Sequence, residues 1–272
     1  MKMASPQNRM GLPDSPASNN NFLRSVFDGL EEPLRPFILA FHGAPAAYKN
    51  WAGVPWHKNQ ATKQNDRLNW YFTLAAFEPA DGIYKRQERQ CGMIFGIMLD
   101  DLGTKAAPLG RLGASPPTYV IETSAANYQA GYLFDTPQTD LAAVAALNEA
   151  LVQAGLCDPG AKSPATRWGR LPFASNSKHT PPFPCRLMAF EPTRRYSIAQ
   201  IMEGLELAPP VPKRRAALRQ TRAEPTTEHD DSDVFTAAQD ENPVLAALKL
   251  RGLYKGLLGV GKHDVTCPWV NL

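Results

Sequence analysis

The 272 residues, 43% hydrophobic and 20% charged, suit a soluble globular protein with one large domain or two small ones. A net charge of +3 is too small to argue nucleic-acid binding by itself. Four widely spaced cysteines, Cys91, Cys157, Cys185 and Cys267, form no CxxC pair, so free thiols in a reducing cytoplasm are expected rather than a disulfide framework.

No apolar run approaches the roughly 18 residues of a membrane span, and the polar N-terminus is neither a signal peptide nor an anchor. Residues 1–21 lack apolar periodicity and are expected to be disordered. Leu23, Val26, Phe27 and Leu30 follow a helical spacing, which predicts an amphipathic helix over 22–31 ended before Pro33. FILAF at 37–41 reads as a strand. The polar loop after it carries His42, Lys49, Trp51, Trp56, His57, Lys58, Lys63 and Arg67. Basic residues interleaved with aromatics suit single-stranded nucleic acid. A surface loop pinned by two buried tryptophans is the alternative. WYFTLAAF at 70–77 is a further strand, and 81–90 is a polar, mostly basic connection.

Met93 to Leu99 is a short apolar run containing Ile94, Phe95 and Ile97, which predicts a buried strand ending on Asp100 and Asp101. Carboxylates at the edge of a core need a cation or a dense hydrogen-bond set. Metal ligation and a simple turn are both open for this pair. If the two acids repel, neutralising both leaves thermal stability unaltered or slightly raised. Strands at 118–123 and 129–134 flank the turn SAANY. Thr139 or Asp140 caps a helix whose apolar face is Leu141, Val144, Leu147, Leu151 and Val152, ended by Gly155. The loop 157–179 holds Asp158, Arg167, Arg170, Asn176 and Lys178, side chains that suit phosphate oxygens or a solvated basic surface. A strand (CRLMAF) and a helix (SIAQIMEGLEL) close this domain, expected over 22–207.

Composition changes at Ala208. Residues 209–222 carry five positive charges and no negative ones, and 224–241 carry seven negative charges and no Lys or Arg. This predicts a charged disordered linker over 208–242. Residues 243–272 then start as a short basic helix over 243–258, as if opening a further module. His263 and Cys267 are at most half of a metal site.

No GxxxxGK[ST] phosphate loop is present, and no HxH of the metal-dependent nicking enzymes. The chain order is strand–DD, strand with Ser124, Asn127 and Gln129, helix, then Asp158 and a basic loop. It supplies carboxylates for two divalent metals, polar groups for a nucleotide and cations for a triphosphate.

In that order FGIMLDD, YVIETSAANYQAGYLF, CDPG and RWGRLPFASNSK, over about residues 35–205, resemble the archaeo-eukaryotic primase superfamily, particularly RepB-type plasmid and phage primases. The resemblance implies a mixed α/β (α+β) fold with an RRM-like catalytic module and a mixed or antiparallel sheet. It implies a DNA primase or primase-polymerase, a metal-dependent nucleotidyltransferase. Asp100 and Asp101 match its first motif and Asp158 its third, as ligands for Mg²⁺ or Mn²⁺. Its second motif carries Ser-x-His against the incoming nucleotide. The corresponding strand has Ser124, Asn127 and Gln129 but no histidine, and Gln129 is the candidate replacement. Arg167, Arg170, Asn176 and Lys178 match the phosphate-facing loop. The implied partners are a single-stranded DNA template, NTPs or dNTPs, and a replicative helicase of the same mobile element, in the cytoplasm of a bacterial host. GKHDVTCPW resembles segments joining such primases to helicases. A non-catalytic DNA-binding initiator that keeps the fold is the alternative, and a metal-dependent nuclease a third.

Overall fold

Continuous apolar runs such as WYFTLAAF send side chains to both sides of a strand and so require a sheet covered on both faces. The computed structural model describes residues 16–59, 65–160, 163–210, 248–259 and 262–265. The chain divides into two compact units, Met1–Pro212 and Lys213–Leu272. The first unit begins with α1 (Asn19–Val26), β1 (Arg35–Phe41), β2 (Val54–Pro55), β3 (Asn69–Phe77) and β4 (Cys91–Leu102). It continues through β5 (Tyr119–Ser124), β6 (Asn127–Gln138), α2 (Leu141–Gln153), β7 (Gly169–Arg170) and β8 (Ser175–Asn176). It ends with β9 (Phe183–Pro184), β10 (Arg186–Phe190), β11 (Arg195–Tyr196) and α3 (Ile198–Gly204).

The main sheet runs β10-β5-β6-β4-β3-β1-β2, with β7 beside β3 and β11 beside β6. Its pairings are antiparallel except β11 with β6. This is the expected α+β class with a mostly antiparallel sheet. All of β3 is buried. Phe72, Leu74 and Ala76 share one core with Phe22, Leu23 and Val26 of α1. Ala75 and Phe77 share the other with Val144, Leu147 and Leu151 of α2 and Ile201 of α3. β4 lies between β3 and β6, but it pairs with β3 only through Cys91, Met93 and Ile94, so its far end, from Leu99 to Leu102, is paired with β6.

Three expectations need correction. Helix α1 starts at Asn19, three residues before the expected start. Ser18 accepts the Asn21 N–H, and buried Asn19 bonds Phe173 through both its amide atoms. These polar contacts, invisible to apolar periodicity, order a stretch expected to be disordered, although residues 1–15 lie outside the described ones. Helix α1 also ends early, with Phe27 as its cap and Gly29 in the left-handed region. In the second unit the expected helix over 243–258 gives way to a hairpin, β12 (Tyr254–Gly259) with β13 (Lys262–Val265). Residues 248–250 are helical, and the helix is closed by Gly252 at φ 66 with its N–H on the Lys249 carbonyl. Glycines 256 and 259 then weaken any helix through this stretch. The charged blocks at 213–241, residues 243–247 and Cys267 lie outside the described residues. Among the described residues no helix is long and apolar enough to cross a membrane.

Candidate functional site

The end of β4 departs from regular pairing where the two acids sit. Leu99 pairs with Ala130 and Leu102 with Tyr128, so Asp100 and Asp101 together stand opposite the single Gln129. Such a bulge re-aims side chains that regular alternation would send to opposite faces. Asp101 takes φ 58, unusual for a residue other than glycine, and its N–H donates to Asp100 Oδ1 at 3.0 Å. The chain then turns sharply: the N–H groups of Thr104 and Ala106 both return to the Asp101 carbonyl. Gly103, at φ 85, lies against the tip of the β5–β6 hairpin, where an added Cβ would meet the Ala126 carbonyl oxygen at 2.5 Å. That contact brings Thr104 to Asn127, whose Oδ1 accepts the threonine hydroxyl at 2.8 Å.

Each acid has its own partners. Asp101 Oδ1 accepts from Asn127 Nδ2 at 3.1 Å, and its Oδ2 lies 2.8 Å from Lys105 Nζ. The same ammonium is 3.4 Å from Asp158 Oδ2, while Asp158 Oδ1 accepts the Gly160 N–H at 2.9 Å. Asp100 Oδ2 faces the Arg167 guanidinium at 3.9 Å. Burial pushes the Asp100 carboxyl above its ordinary value; the Arg167 charge opposes this and the Asp101 charge adds to it. Desolvation also acts upward on Asp101, but hydrogen bonds from Lys105 and Asn127 outweigh it and hold that carboxyl below the ordinary value. Lys105 is raised by its hydrogen bond and charge interaction with Asp101, then by those with Asp158. The charge of exposed Lys178 acts on both Asp100 and Asp101.

The structure thus brings Asp100, Asp101, Asp158, Asn127, Arg167 and Lys178 to one place, with Ser124 opposite Asn127 at the base of the hairpin tip. It does not bring the other three there as nucleotide contacts. Gln129 is 1% exposed and both its amide atoms bond the Arg170 backbone, so the reading of Gln129 as a substitute for the family histidine is corrected. Arg170 is buried over the Tyr71 ring and bonds Asn69, Asn176 and the Ser175 carbonyl. Asn176 is buried between Arg170 and the Thr123 carbonyl. Both are packing residues, because a buried guanidinium and amide need internal partners. Arg167 is more anchored than expected, donating to the Met98 carbonyl and to Cys157 Sγ. Lys105 and Thr104 were missed; the only trace of Lys105 in the sequence is its place four residues after Asp101, beyond a glycine. The pinned-loop reading of 42–57 holds for one of its two tryptophans: Trp56 is fully buried, whereas Trp51 is half-buried, edge-on to Phe41 and Tyr71. Lys63 lies outside the described residues.

Carboxylate oxygens are the donors that Mg²⁺ and Mn²⁺ prefer. Asp101 and Asp158 already share one cation, the Lys105 ammonium. These two residues therefore fit such an ion. Asp100 does not join them: it is turned to Arg167. Among the described residues no three His, Cys, Asp or Glu side chains are gathered closely enough to hold a metal.

No protein-family model and no curated protein matches the sequence. Among solved structures, the chain is similar to the AEP domain of the primase-polymerase of cyanophage S-2L. The TM-score is 0.50 at 15% identity, over 68% of this chain and 95% of that one. The catalytic domain of primase RepB′ in complex with initiator DNA gives a TM-score of 0.45 at 15% identity, over 69% and 93%. A second structure of primase RepB′ gives 0.45 at 16% identity, over 69% and 62%. With the mostly antiparallel sheet and the acids at the end of its central strand, the chain has the fold of the archaeo-eukaryotic primase-polymerase domain.

Proposed function

We propose that the chain is a template-directed nucleotidyltransferase that makes or extends primers on single-stranded DNA. The observation that carries this reading is the Asp101–Asp158 pair, converging on one cation at the end of the central strand of a primase-polymerase fold. Asp101 and Asp158 would hold a Mg²⁺ or Mn²⁺ ion, with Asp100 beside them. Such an ion, when bound, acidifies an attacking 3′-hydroxyl and neutralises charge on the phosphates. Asn127 fixes the Asp101 carboxylate, and Thr104 fixes Asn127 in turn. Lys178, exposed beside the acids, supplies positive charge to a triphosphate as a point contact. Arg167 faces Asp100 at the same end of the strand and partly offsets its charge. Ser124, paired with Asn127 at the hairpin, would contact the nucleotide from that side. The partners in this reading are a single-stranded template, NTPs or dNTPs, and a helicase of the same phage or plasmid.

One observation favours a second reading, a DNA-binding protein that keeps the fold without the chemistry. Lys105 already bridges Asp101 and Asp158, so this pair is held together without an ion. Incubation with single-stranded DNA, all nucleotides and Mn²⁺, with products sized on a gel, separates the two. Oligonucleotide products support the enzyme. DNA binding with no product supports the second reading.

A further inference from the structure

The ligand oxygens of the acidic pair are not all equivalent. Asp101 Oδ1 is taken by Asn127, and Asp158 Oδ1 by the Gly160 N–H. That leaves Oδ2 of each acid, and both are directed at the same ammonium, Lys105 Nζ, at 2.8 and 3.4 Å. The backbone beneath Lys105 is fixed by the tight turn after β4, where Thr104 and Ala106 return to the Asp101 carbonyl and the Gly103 N–H bonds the Ala107 carbonyl. The side chain above it is 67% exposed. Its ammonium can therefore swing into water without disturbing the fold.

The other cations near the acids differ from it in kind. Arg167 is 13% exposed and held by Met98 and Cys157, so it cannot leave. Lys178 is exposed and touches neither pair oxygen among the described contacts. Lys105 is the residue that both bridges the pair and is free to move.

We propose that Lys105 is a tethered counter-ion of the Asp101–Asp158 pair, which a divalent cation must displace in order to bind. The inference rests on the metal reading above and adds a property to it. The chain carries its own competitor for the ion, so metal loading has a threshold set by Lys105. Before loading, the ammonium keeps two carboxylates together that would otherwise repel. After loading, it is released beside whatever anion the ion brings.

The test is Mn²⁺ binding to the full chain without nucleotide, followed by the electron paramagnetic resonance signal of the free ion. Lys105→Met keeps the stem and removes the charge; Lys178→Met removes a nearby charge that bridges nothing. Lys105→Met is expected to bind Mn²⁺ about three- to tenfold tighter than the wild type, the size expected for releasing two exposed ion pairs, and Lys178→Met to change less. In the wild type, the labelling rate of Lys105 by an amine reagent, read by mass spectrometry, should rise on saturation with Mn²⁺. Unchanged or weaker binding by Lys105→Met, while the wild type binds, overturns the role of Lys105 and leaves the metal reading standing. An equal gain in Lys178→Met overturns it too, by reducing the effect to net charge. No Mn²⁺ binding by either the wild type or Lys105→Met overturns both the inference and the metal reading.

Discussion

Burial raises the pKa of Asp100, whereas Lys105 and Asn127 lower that of Asp101 against the pull of desolvation. The two therefore enter stability with opposite signs. Asp101, with its folded pKa depressed, stabilises the fold above the ordinary carboxylate range, and this is lost as pH falls through its folded pKa. Asp100, with its folded pKa raised, costs stability once pH climbs above that range, and protonation on acidification removes the cost. Asp100→Asn is expected to raise Tm at pH 7 and Asp101→Asn to lower it, each by about 1–3 °C by calorimetry. Shifts of the same sign would contradict the assignment of partners. The expectation from mutual repulsion treated both acids alike, because nothing in the string DD says which one Arg167 or Lys105 will reach. The basic loop divides in the same way. Arg170→Ala should cost about 2–4 kcal/mol, since it removes buried hydrogen bonds to Asn69, Asn176 and the Ser175 carbonyl and uncovers Tyr71. Lys178→Ala should leave Tm unchanged and weaken nucleotide binding in a filter assay. Two residues that read alike in sequence, both cations in a Gly/Pro-containing loop, are separated only by burial.

The strands were legible because continuous apolar runs mark β3 and β4, and short segments rich in β-branched and aromatic residues mark β5 and β6. The bulge at Asp100–Asp101 was not, because it depends on the register between β4 and β6 and on a positive φ that Asp101 shares with no local sequence signal. The short β7 and β8 were missed for a similar reason. Each is two residues held by partners far along the chain, such as Gln129 for Arg170. The turn after β4 is the element on which the acidic site depends, and Gly103 is its tightest point. Gly103→Ala must adopt φ near 85 and meet the Ala126 carbonyl at 2.5 Å. It is expected to cost about 2 kcal/mol or more in urea unfolding, and to disturb Lys105 and Asn127 together. A variant as stable as the wild type would mean that this turn is not clamped to the hairpin.

At the scale of the whole chain, both cores of the sheet are built from residues of the first unit. A fragment of residues 1–212 is therefore expected to unfold in one cooperative thermal transition. The composition break at Ala208 adds an expectation of its own: limited proteolysis should cut between about residues 209 and 242 and leave a core ending near Leu207. Cleavage within 90–180 with the linker protected would place the boundary elsewhere. The central claim is that the carboxylates gathered at the end of β4 carry nucleotidyl transfer, and one variant tests it most directly. Asp101→Asn with Asp158→Asn removes both charges facing Lys105 while keeping side-chain size. Primer synthesis on single-stranded DNA with Mn²⁺ is predicted to fall below detection in this double variant, with its unfolding still cooperative; synthesis at the wild-type rate would contradict the account.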